Sequence, residues 1–288
     1  MIRIALLGNS HLENWKRAWN SLGKAYPDVE LVFFGAPGAQ LECGEPQDDR
    51  LVFKNEDVAR FVEITSGGRR ELVAADYDTF CVVGLGWGVR AVTTLYSGWR
   101  ADAHKGKEGT FQLVSDACFQ DAVGDRLNGT PAMGLVGKLR QITNKAIWLA
   151  PTPAPSEIIL TLDKIPEGIE MAAAVTDALL LRAAFEEASR RLAAENLILL
   201  EQPPATLASP LLSKKKYRRR SWTTPDWLHL NDTYGKIVIR EFLSRLQPSL
   251  YGQDAGDSSG NLLRLASPLV GALRSRLSRS SIRRSSKS

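Results

Sequence analysis

The chain has 288 residues, of which 44% are hydrophobic and 24% charged, so it is long enough to form one large globular domain. No apolar run approaches the roughly 20 residues that a membrane-spanning helix needs, and residues 1–10 are too short for a signal peptide, so we expect a cytoplasmic protein without a transmembrane segment. The three cysteines, Cys43, Cys81 and Cys118, have neither zinc-site spacing nor a disulfide pattern, and we expect them in the core.

The net charge of +5 is unevenly distributed along the chain. From Ser258 onward there are seven basic residues and no acidic one, which leaves a net charge of −2 for residues 1–257. The basic balance thus belongs to the carboxyl-terminal tail, and we expect no nucleic-acid-binding face on the main domain. Contact of the tail with an anionic lipid surface is an open alternative.

Five short apolar runs alternate with helical stretches. In chain order they lie in "IRIALLG", "VELVFFGAPG", "DYDTFCVVGLGWG", "NKAIWLAPTPAPSE" and "NLILLEQPPATL". A first helix is predicted in "LENWKRAWNSLGKAY", and the strongest helical pattern covers residues 168–195. Short apolar strands separated by helices predict a sheet covered on both faces, here a three-layer α/β/α sandwich with a five-stranded, mainly parallel, flavodoxin-like sheet. In such sheets a site forms at the carboxyl ends of the strands.

The same patterns divide the chain into a domain and a tail. We expect residues 1–251 to form the α/β domain, and residues 252–288 to form a linker and a basic Ser/Arg-rich tail that is largely disordered. Residues 96–134 give no clear strand or helix pattern and are interpreted as an insertion or cap.

The first predicted strand ends in "GNSH", which places Ser10 between a strand and a helix. A serine in this position is either an N-cap, which accepts a hydrogen bond from a free helix N–H, or a nucleophile. A nucleophilic serine needs a base beside it and a third group that orients the base.

The chain contains three histidines, His11, His104 and His229. In "TTPDWLHLN", Thr224 and Pro225 are suited to begin a helical turn, on which Asp226 and His229 are neighbours at positions i and i+3. Asp226 can therefore hold one imidazole nitrogen of His229 and leave the other free as a base. His11 directly follows Ser10, so we expect its side chain to point elsewhere.

Four short blocks carry a family resemblance. "LLGNSH", "FFGAPG", "VVGLGWG" and "DWLHLN" resemble, in order and spacing, the four blocks of the SGNH (GDSL-like) hydrolase superfamily, over residues 1–235. The resemblance implies Ser10 as nucleophile, His229 as general base and Asp226 as its orienting carboxylate. It also implies an oxyanion hole formed by the N–H groups of Ser10 and Gly38, with Gly35 as the alternative to Gly38, and no metal or cofactor.

Two positions depart from the family pattern. Asn9 stands where the first block usually has Asp, and it still permits a capping hydrogen bond. Gly88 stands where the third block usually has an Asn that donates to the oxyanion. Either a backbone N–H from the Gly86–Gly88 turn replaces that donor or the hole is weaker.

The function expected from these observations is a serine esterase that hydrolyses an O-acyl group on a carbohydrate or lipid-type substrate through an acyl-enzyme. The alternatives are an O-acyltransferase with the same residues and a catalytically idle glycan- or partner-binding protein. A Rossmann-type nucleotide module is disfavoured, because the phosphate-binding glycine turn is missing after the first strand.

Two further features bear on the substrate. The run "KKKYRRR", residues 214–220, is either a solvated loop or a cationic rim for an anionic substrate such as an acidic polysaccharide or a phosphorylated sugar. The tryptophans are expected in the core, except Trp87, which falls beside the predicted site.

Overall fold

The computed structural model of the protein describes residues 1–106, 110–162, 176–193, 196–220 and 226–251, without the side chains of 247–251. Thr224, Pro225 and the predicted tail 252–288 lie outside the described residues. The chain divides into a compact unit Met1–Ser244 and a second unit Arg245–Ser288, of which the structure describes the last turns of a helix that ends at Tyr251.

The first unit is built on a five-stranded sheet. Its strands are β1 (Ile2–Gly8), β2 (Val29–Gly35), β3 (Thr79–Val83), β4 (Ile147–Ala150) and β5 (Leu197–Leu199). Their order in the sheet is β5-β4-β3-β1-β2, and every neighbouring pair is parallel. All five predicted strands are present in the flavodoxin-like order, and the predicted fold class is confirmed.

Helices cover both faces of this sheet. They are α1 (Leu12–Leu22), α2 (Glu56–Ser66), α3 (Val89–Gly98), α4 (Asp116–Asn128), α5 (Pro131–Ile142), α6 (Ala178–Leu192) and α7 (Asp232–Tyr251). Because side chains alternate along a strand, Ala5 and Leu7 of β1 join the large core under α2–α6. On the opposite face, the ring of Phe242 from α7 packs against Trp15 of α1 and Trp148 of β4, at centroid distances of 6.0 and 5.2 Å. The result is a three-layer α/β/α sandwich.

A glycine lets α7 approach α1 closely. A Cβ atom added at Gly235 would lie 2.3 Å from the backbone oxygen of Asn14, a distance that no larger residue tolerates without moving a helix. This contact matters for the site because Ser10 precedes α1 and His229 precedes α7.

Several short elements were not resolved by the sequence patterns. Strands Glu45–Gln47, Arg50–Val52 and Glu71–Val73 form a small antiparallel sheet, and Leu207–Ser209 pairs with Leu212–Ser213. The segment interpreted as an insertion or cap, residues 96–134, contains the parallel strands Trp99–Ala101 and Gln112–Val114 and the whole of α4. These strands have only two or three residues each, too few for a recognisable alternation of polar and apolar side chains.

The expectation that all three cysteines lie in the core is wrong for two of them. Cys81, on β3, is buried, whereas Cys43 and Cys118 are exposed. Cys43 ends a short 3-10 turn, and Cys118 lies in the first turn of α4 on its solvent face. No helix in the described ranges is long and apolar enough to cross a membrane.

Candidate active site

Ser10 lies at the carboxyl end of β1, and its hydroxyl does not cap α1. The N-cap position of α1 is His11, which makes no side-chain capping bond. Asn9 closes the turn instead: its Oδ1 atom accepts the N–H of His11 at 3.2 Å, and its carbonyl oxygen accepts the N–H of Leu12 at 2.8 Å. The Asn9 side chain thus stabilises the turn that leads into α1 without capping the helix, and the exposed Ser10 hydroxyl is left for another partner.

That partner is His229. The Oγ atom of Ser10 lies 2.8 Å from Nε2 of His229, although 219 positions separate the two residues in the chain. On the other side of the ring, Nδ1 lies 3.1 Å from each carboxylate oxygen of Asp226. A carboxylate accepts hydrogen bonds only, so Nδ1 carries the proton and Nε2 is free to accept the proton of Ser10.

Asp226 also fixes the backbone of the turn that carries His229. Its Oδ1 atom accepts the N–H groups of Leu228 at 3.2 Å and His229 at 2.9 Å. One carboxylate thus orients both the imidazole ring and the loop beneath it. The structure brings together the three residues for which a catalytic role was predicted from the sequence.

The loop that carries His229 is hydrogen-bonded to the basic segment that precedes it, residues 214–220. The carbonyl of His229 accepts the N–H of Arg219 at 2.8 Å, and the N–H of Asn231 donates to the carbonyl of Tyr217 at 2.7 Å. The side chain of Asn231 caps α7 by accepting the N–H of Tyr234 at 3.1 Å, and its amide donates to the carbonyl of Lys216 at 3.0 Å. Asn231 therefore holds the basic segment, the loop of His229 and the first turn of α7 together.

His11 lies against the back of His229 and not toward the solvent. The two ring centroids are 5.1 Å apart, with 33° between the ring planes. Burial, together with electrostatic repulsion between a protonated His11 and its neighbours His229 and Arg90, lowers the pKa of His11 to about 3. His11 is therefore neutral at physiological pH and packs against the ring of His229. His104, the third histidine, is buried between Tyr96 and Phe119, away from Ser10.

The two glycines considered for the oxyanion hole differ in what their N–H groups do. The N–H of Gly35 donates to Oγ1 of Thr65 at 2.9 Å, so it is occupied. Gly38 is exposed, has a left-handed φ of 56° and borders the same pocket as Ser10. Among the described residues, the N–H groups of Gly38 and Ser10 have no hydrogen-bond acceptor. Gly38 is thus the better placed of the two donors.

The third block forms a tight turn that packs against the first. A Cβ atom added at Gly84, where φ is 77°, would lie 3.0 Å from Oδ1 of Asn9. Gly86 borders the pocket beside Ser10, whereas Gly88 is buried, and a Cβ atom there would lie 2.7 Å from the carbonyl oxygen of Thr152. A side chain at position 88 would require the backbone near Thr152 to shift, and the glycine has no side-chain amide to donate to an oxyanion.

Three cavities meet at Ser10. The first, the basic cleft, measures about 800 Å³ and includes His229 and six cationic side chains: Arg17, Lys215, Lys216, Arg218, Arg219 and Arg220. The second, the glycine pocket, measures about 740 Å³ and includes His11, Gly38, Gly86, Arg90, Gly129 and Thr152. The third, the apolar pocket, measures about 270 Å³ and includes Leu12, Phe33, Ala36, Pro37 and Phe61.

Some residues of these cavities were not singled out from the sequence. Arg90 borders the glycine pocket, and its guanidinium lies 5.4 Å from the ring centroid of Trp227. Its position two residues after the third block was the available signal. The expectation that Trp87 lies beside the site and not in the core is wrong. Its side chain is 2% exposed and packs against Phe185 in the core. Among the described residues, no group of three His, Cys, Asp or Glu side chains is placed to hold a metal ion.

Neither a protein-family model nor a curated protein matches the chain significantly. Among solved structures, a protein from Bacteroides fragilis assigned as an acylhydrolase aligns with a TM-score of 0.41 and 10% identity, over 86% of this chain and 87% of its own. A GDSL-like lipase from Bacteroides thetaiotaomicron aligns with a TM-score of 0.40 and 10% identity, over 86% and 88%. The C-terminal catalytic domain of peptidoglycan O-acetyltransferase A from Streptococcus pneumoniae aligns with a TM-score of 0.33 and 11% identity, over 87% and 95%.

The chain's own topology is the stronger observation. The sheet has the predicted flavodoxin-like order, and the first block follows β1, with the second and third blocks following β2 and β3, the strands on either side of β1. The fourth block supplies His229 to the serine of the first. The four blocks that resemble those of SGNH hydrolases thus lie around one site at the carboxyl edge of the sheet of an α/β/α sandwich.

Proposed function

We propose that the protein is a serine esterase that hydrolyses an O-acyl group on a carbohydrate or lipid-type alcohol. The observation that supports this most strongly is the continuous hydrogen-bonded chain from Ser10 Oγ through His229 to Asp226, with contacts of 2.8 Å and 3.1 Å. A serine hydroxyl that only capped a helix would have no need of a base held in one tautomer.

In the first step, Ser10 Oγ attacks the ester carbonyl carbon while its proton passes to Nε2 of His229. The imidazolium that forms is stabilised by Asp226, whose carboxylate faces the opposite ring nitrogen. His229 then gives the proton to the alcohol oxygen, the bond between that oxygen and the carbonyl carbon breaks, and the acyl group remains on Ser10.

The negative charge of the tetrahedral intermediate develops on the carbonyl oxygen. The N–H groups of Ser10 and Gly38 border the glycine pocket and would donate to this oxygen, each donor contributing about 3 kcal/mol in acyl transfer. A backbone N–H at exposed Gly86 is the available third donor, since position 88 has no side chain.

In the second step, water takes the place of the alcohol. His229 removes a proton from the water, the resulting hydroxyl attacks the acyl carbon, and the bond from that carbon to Ser10 Oγ breaks as His229 returns the proton to the serine. The free acid leaves and the enzyme returns to its starting state. The steps use only side chains and backbone groups of this chain.

Labelling with a fluorophosphonate probe tests the proposal, because such probes react with activated serines. We expect labelling of the wild-type protein and of Ser21→Ala, an exposed serine at the far end of α1, but not of folded Ser10→Ala. Absence of labelling in folded wild-type protein would refute the esterase and favour the idle binding protein, for which the missing amide donor at Gly88 is the supporting observation.

Two finer points belong to the same proposal. Release of free acid from an acylated glycan in water, against transfer to an added sugar acceptor, separates the esterase from an O-acyltransferase with the same residues. The cytoplasmic location expected from the sequence is checked by fractionating cells that express the protein.

A further inference from the structure

The three cavities at Ser10 correspond in number to the three groups on the reacting carbon: the carbonyl oxygen, the acyl chain and the alcohol. Resting on the esterase proposed above, we propose that the alcohol part of the substrate carries carboxylate or phosphate groups and binds in the basic cleft. The basic cleft would then be an anion subsite that selects esters of acidic glycans or phosphorylated sugars.

The position of His229 determines which cavity receives the alcohol. The leaving alcohol oxygen must lie within reach of Nε2 of His229, because that nitrogen supplies its proton. His229 borders the basic cleft and does not border the apolar pocket. The acyl chain accordingly extends into the apolar pocket, between Phe33 and Phe61, and the alcohol extends into the basic cleft.

The charge of the basic cleft is strongly unbalanced. Of the described residues that line it, six are cationic and two, Glu13 and Asp232, carry carboxylates. Glu13 is already engaged by Arg219 at 2.6 Å and by Arg17 at 2.7 Å. In a protein whose residues 1–257 have a net charge of −2, this concentration of positive charge beside the nucleophile is a local feature.

Four of the cations have no acidic partner among the residues that the structure describes. Within the described ranges, the side chains of Lys215, Lys216, Arg218 and Arg220 form no ion pair with a carboxylate. Lys216 instead lies 5.0 Å from the ring centroid of its neighbour Tyr217. Guanidinium and ammonium groups without a protein carboxylate have donors available for an anionic ligand.

The basic segment is also held in place and is not a freely solvated loop. Tyr217, in its middle, is only 6% exposed. The carbonyl groups on either side, those of Lys216 and Arg218, accept the side-chain amide of Asn231 at 3.0 and 3.3 Å. The N–H of Lys215 donates to Glu157 at 2.8 Å. The backbone that carries the cations therefore has a fixed position relative to His229, which reduces the entropy lost when a ligand binds.

A membrane surface is the other large anion that a basic segment can bind. Here the cations line a cleft that also contains Ser10 and His229. A flat lipid surface meets cations on a protruding face, whereas a glycan chain can enter a cleft and reach the serine. The geometry favours a soluble anionic alcohol.

The test separates ligand binding from catalysis. Titration calorimetry with folded Ser10→Ala protein measures binding of trigalacturonate (carboxylates), inositol hexakisphosphate (phosphates) and neutral maltotriose, without turnover. We expect at least one of the two anions to bind about tenfold or more tighter than maltotriose, with the affinity falling as NaCl is raised. In the wild-type protein, the same anion should inhibit hydrolysis of neutral p-nitrophenyl acetate.

A matched pair of double variants locates the site. Lys216→Ala with Arg218→Ala should weaken anion binding about tenfold or more, whereas Lys24→Ala with Arg190→Ala, two exposed cations outside the cleft, should not. The charge-retaining variant Lys216→Arg with Arg218→Lys should keep most of the affinity, which excludes an effect of misfolding.

Three results would overturn the inference. The first is equal affinity for the anions and maltotriose. The second is equal weakening by the two alanine double variants. The third is inhibition by phosphatidylglycerol vesicles but by neither soluble anion, which would favour a membrane contact. Anion binding by Ser10→Ala in a protein that never hydrolyses p-nitrophenyl acetate would refute the esterase while supporting the anion subsite.

Discussion

Replacement of Asp226 by asparagine removes one charge and leaves the shape of the side chain almost unchanged. In Asp226→Asn, the amide oxygen can still accept the N–H groups of Leu228 and His229, so the turn should keep its structure. The amide NH2 then faces Nδ1 of His229 and favours the tautomer in which Nε2 carries the proton. That tautomer cannot accept the proton of Ser10.

The size of the effect follows from the charges involved. His229 and Asp226 have side-chain exposures of 26% and 19%, so their interaction is partly shielded from water. For unit charges about 4 Å apart at an effective dielectric constant of about 20, the attraction between carboxylate and imidazolium is about 4 kcal/mol. A transition state that loses this amount reacts about a thousandfold more slowly, and the wrong tautomer slows it further.

The assay is kcat/KM for p-nitrophenyl acetate, measured for the wild-type protein, Asp226→Asn and the control Asp121→Asn, an exposed carboxylate on α4. We expect Asp226→Asn to have a lower kcat and an unchanged melting temperature. Asp121→Asn should keep the wild-type activity. If folded Asp226→Asn retained more than about a tenth of the wild-type activity, neither the tautomer of His229 nor the charge of Asp226 would matter for the reaction. The orienting role of Asp226 would then be refuted.

Three further predictions concern packing and pH. Gly88→Asn places the usual third-block residue in the chain, and its Cβ atom would meet a backbone oxygen at 2.7 Å. We expect the variant to have a free energy of unfolding lower by about 1–3 kcal/mol, measured by denaturant titration, and no increase in kcat/KM. Gly235→Ala should destabilise by a similar amount because its Cβ atom meets the α1 backbone at 2.3 Å, whereas Gly124→Ala, in open space on α4, should stabilise by up to about 1 kcal/mol. Folding lowers the pKa of His11 from 6.5 to about 3, so between these pH values His11 is protonated in the unfolded chain and neutral in the folded one. The free energy of unfolding therefore falls by about 1.4 kcal/mol per pH unit as the pH drops through this range. Folded His11→Phe should lack this component when unfolding is measured from pH 7 to pH 4, and identical pH dependence in both proteins would contradict it.

The sheet could be predicted from the sequence because its strands are continuous runs of apolar residues. From Ile4 to Leu7, β1 is fully buried, and buried parallel strands appear as continuous apolar runs. The small antiparallel strands, such as Arg50–Val52, could not be predicted because three residues give no period. The cysteine prediction was wrong for Cys43 and Cys118 because a typical preference for burial says nothing about a particular turn.

At the site, the sequence predicted the partners but not the surroundings. The i, i+3 spacing of Asp226 and His229 was readable because it is local, and the contact of 2.8 Å between His229 and Ser10 was expected from the family resemblance. The apolar pocket could not be predicted, because residues as distant in the chain as Phe33 and Phe61 form it together. The choice between Gly35 and Gly38 also required the structure, since it depends on the bond from Gly35 to Thr65.

The basic segment connects the proposed catalysis with the proposed substrate recognition. The hydrogen bonds that hold Tyr217 and Arg219 against the backbone of His229 and Asn231 also fix the backbone that carries the cations of the same segment. An anion bound between these cations therefore restrains the loop that carries the base, so binding energy from a remote part of the substrate can be used to keep His229 aligned with Ser10. A neutral ester would lack that restraint. The contribution of the anionic group should for this reason appear in kcat as well as in KM, which a subsite remote from the base would not produce.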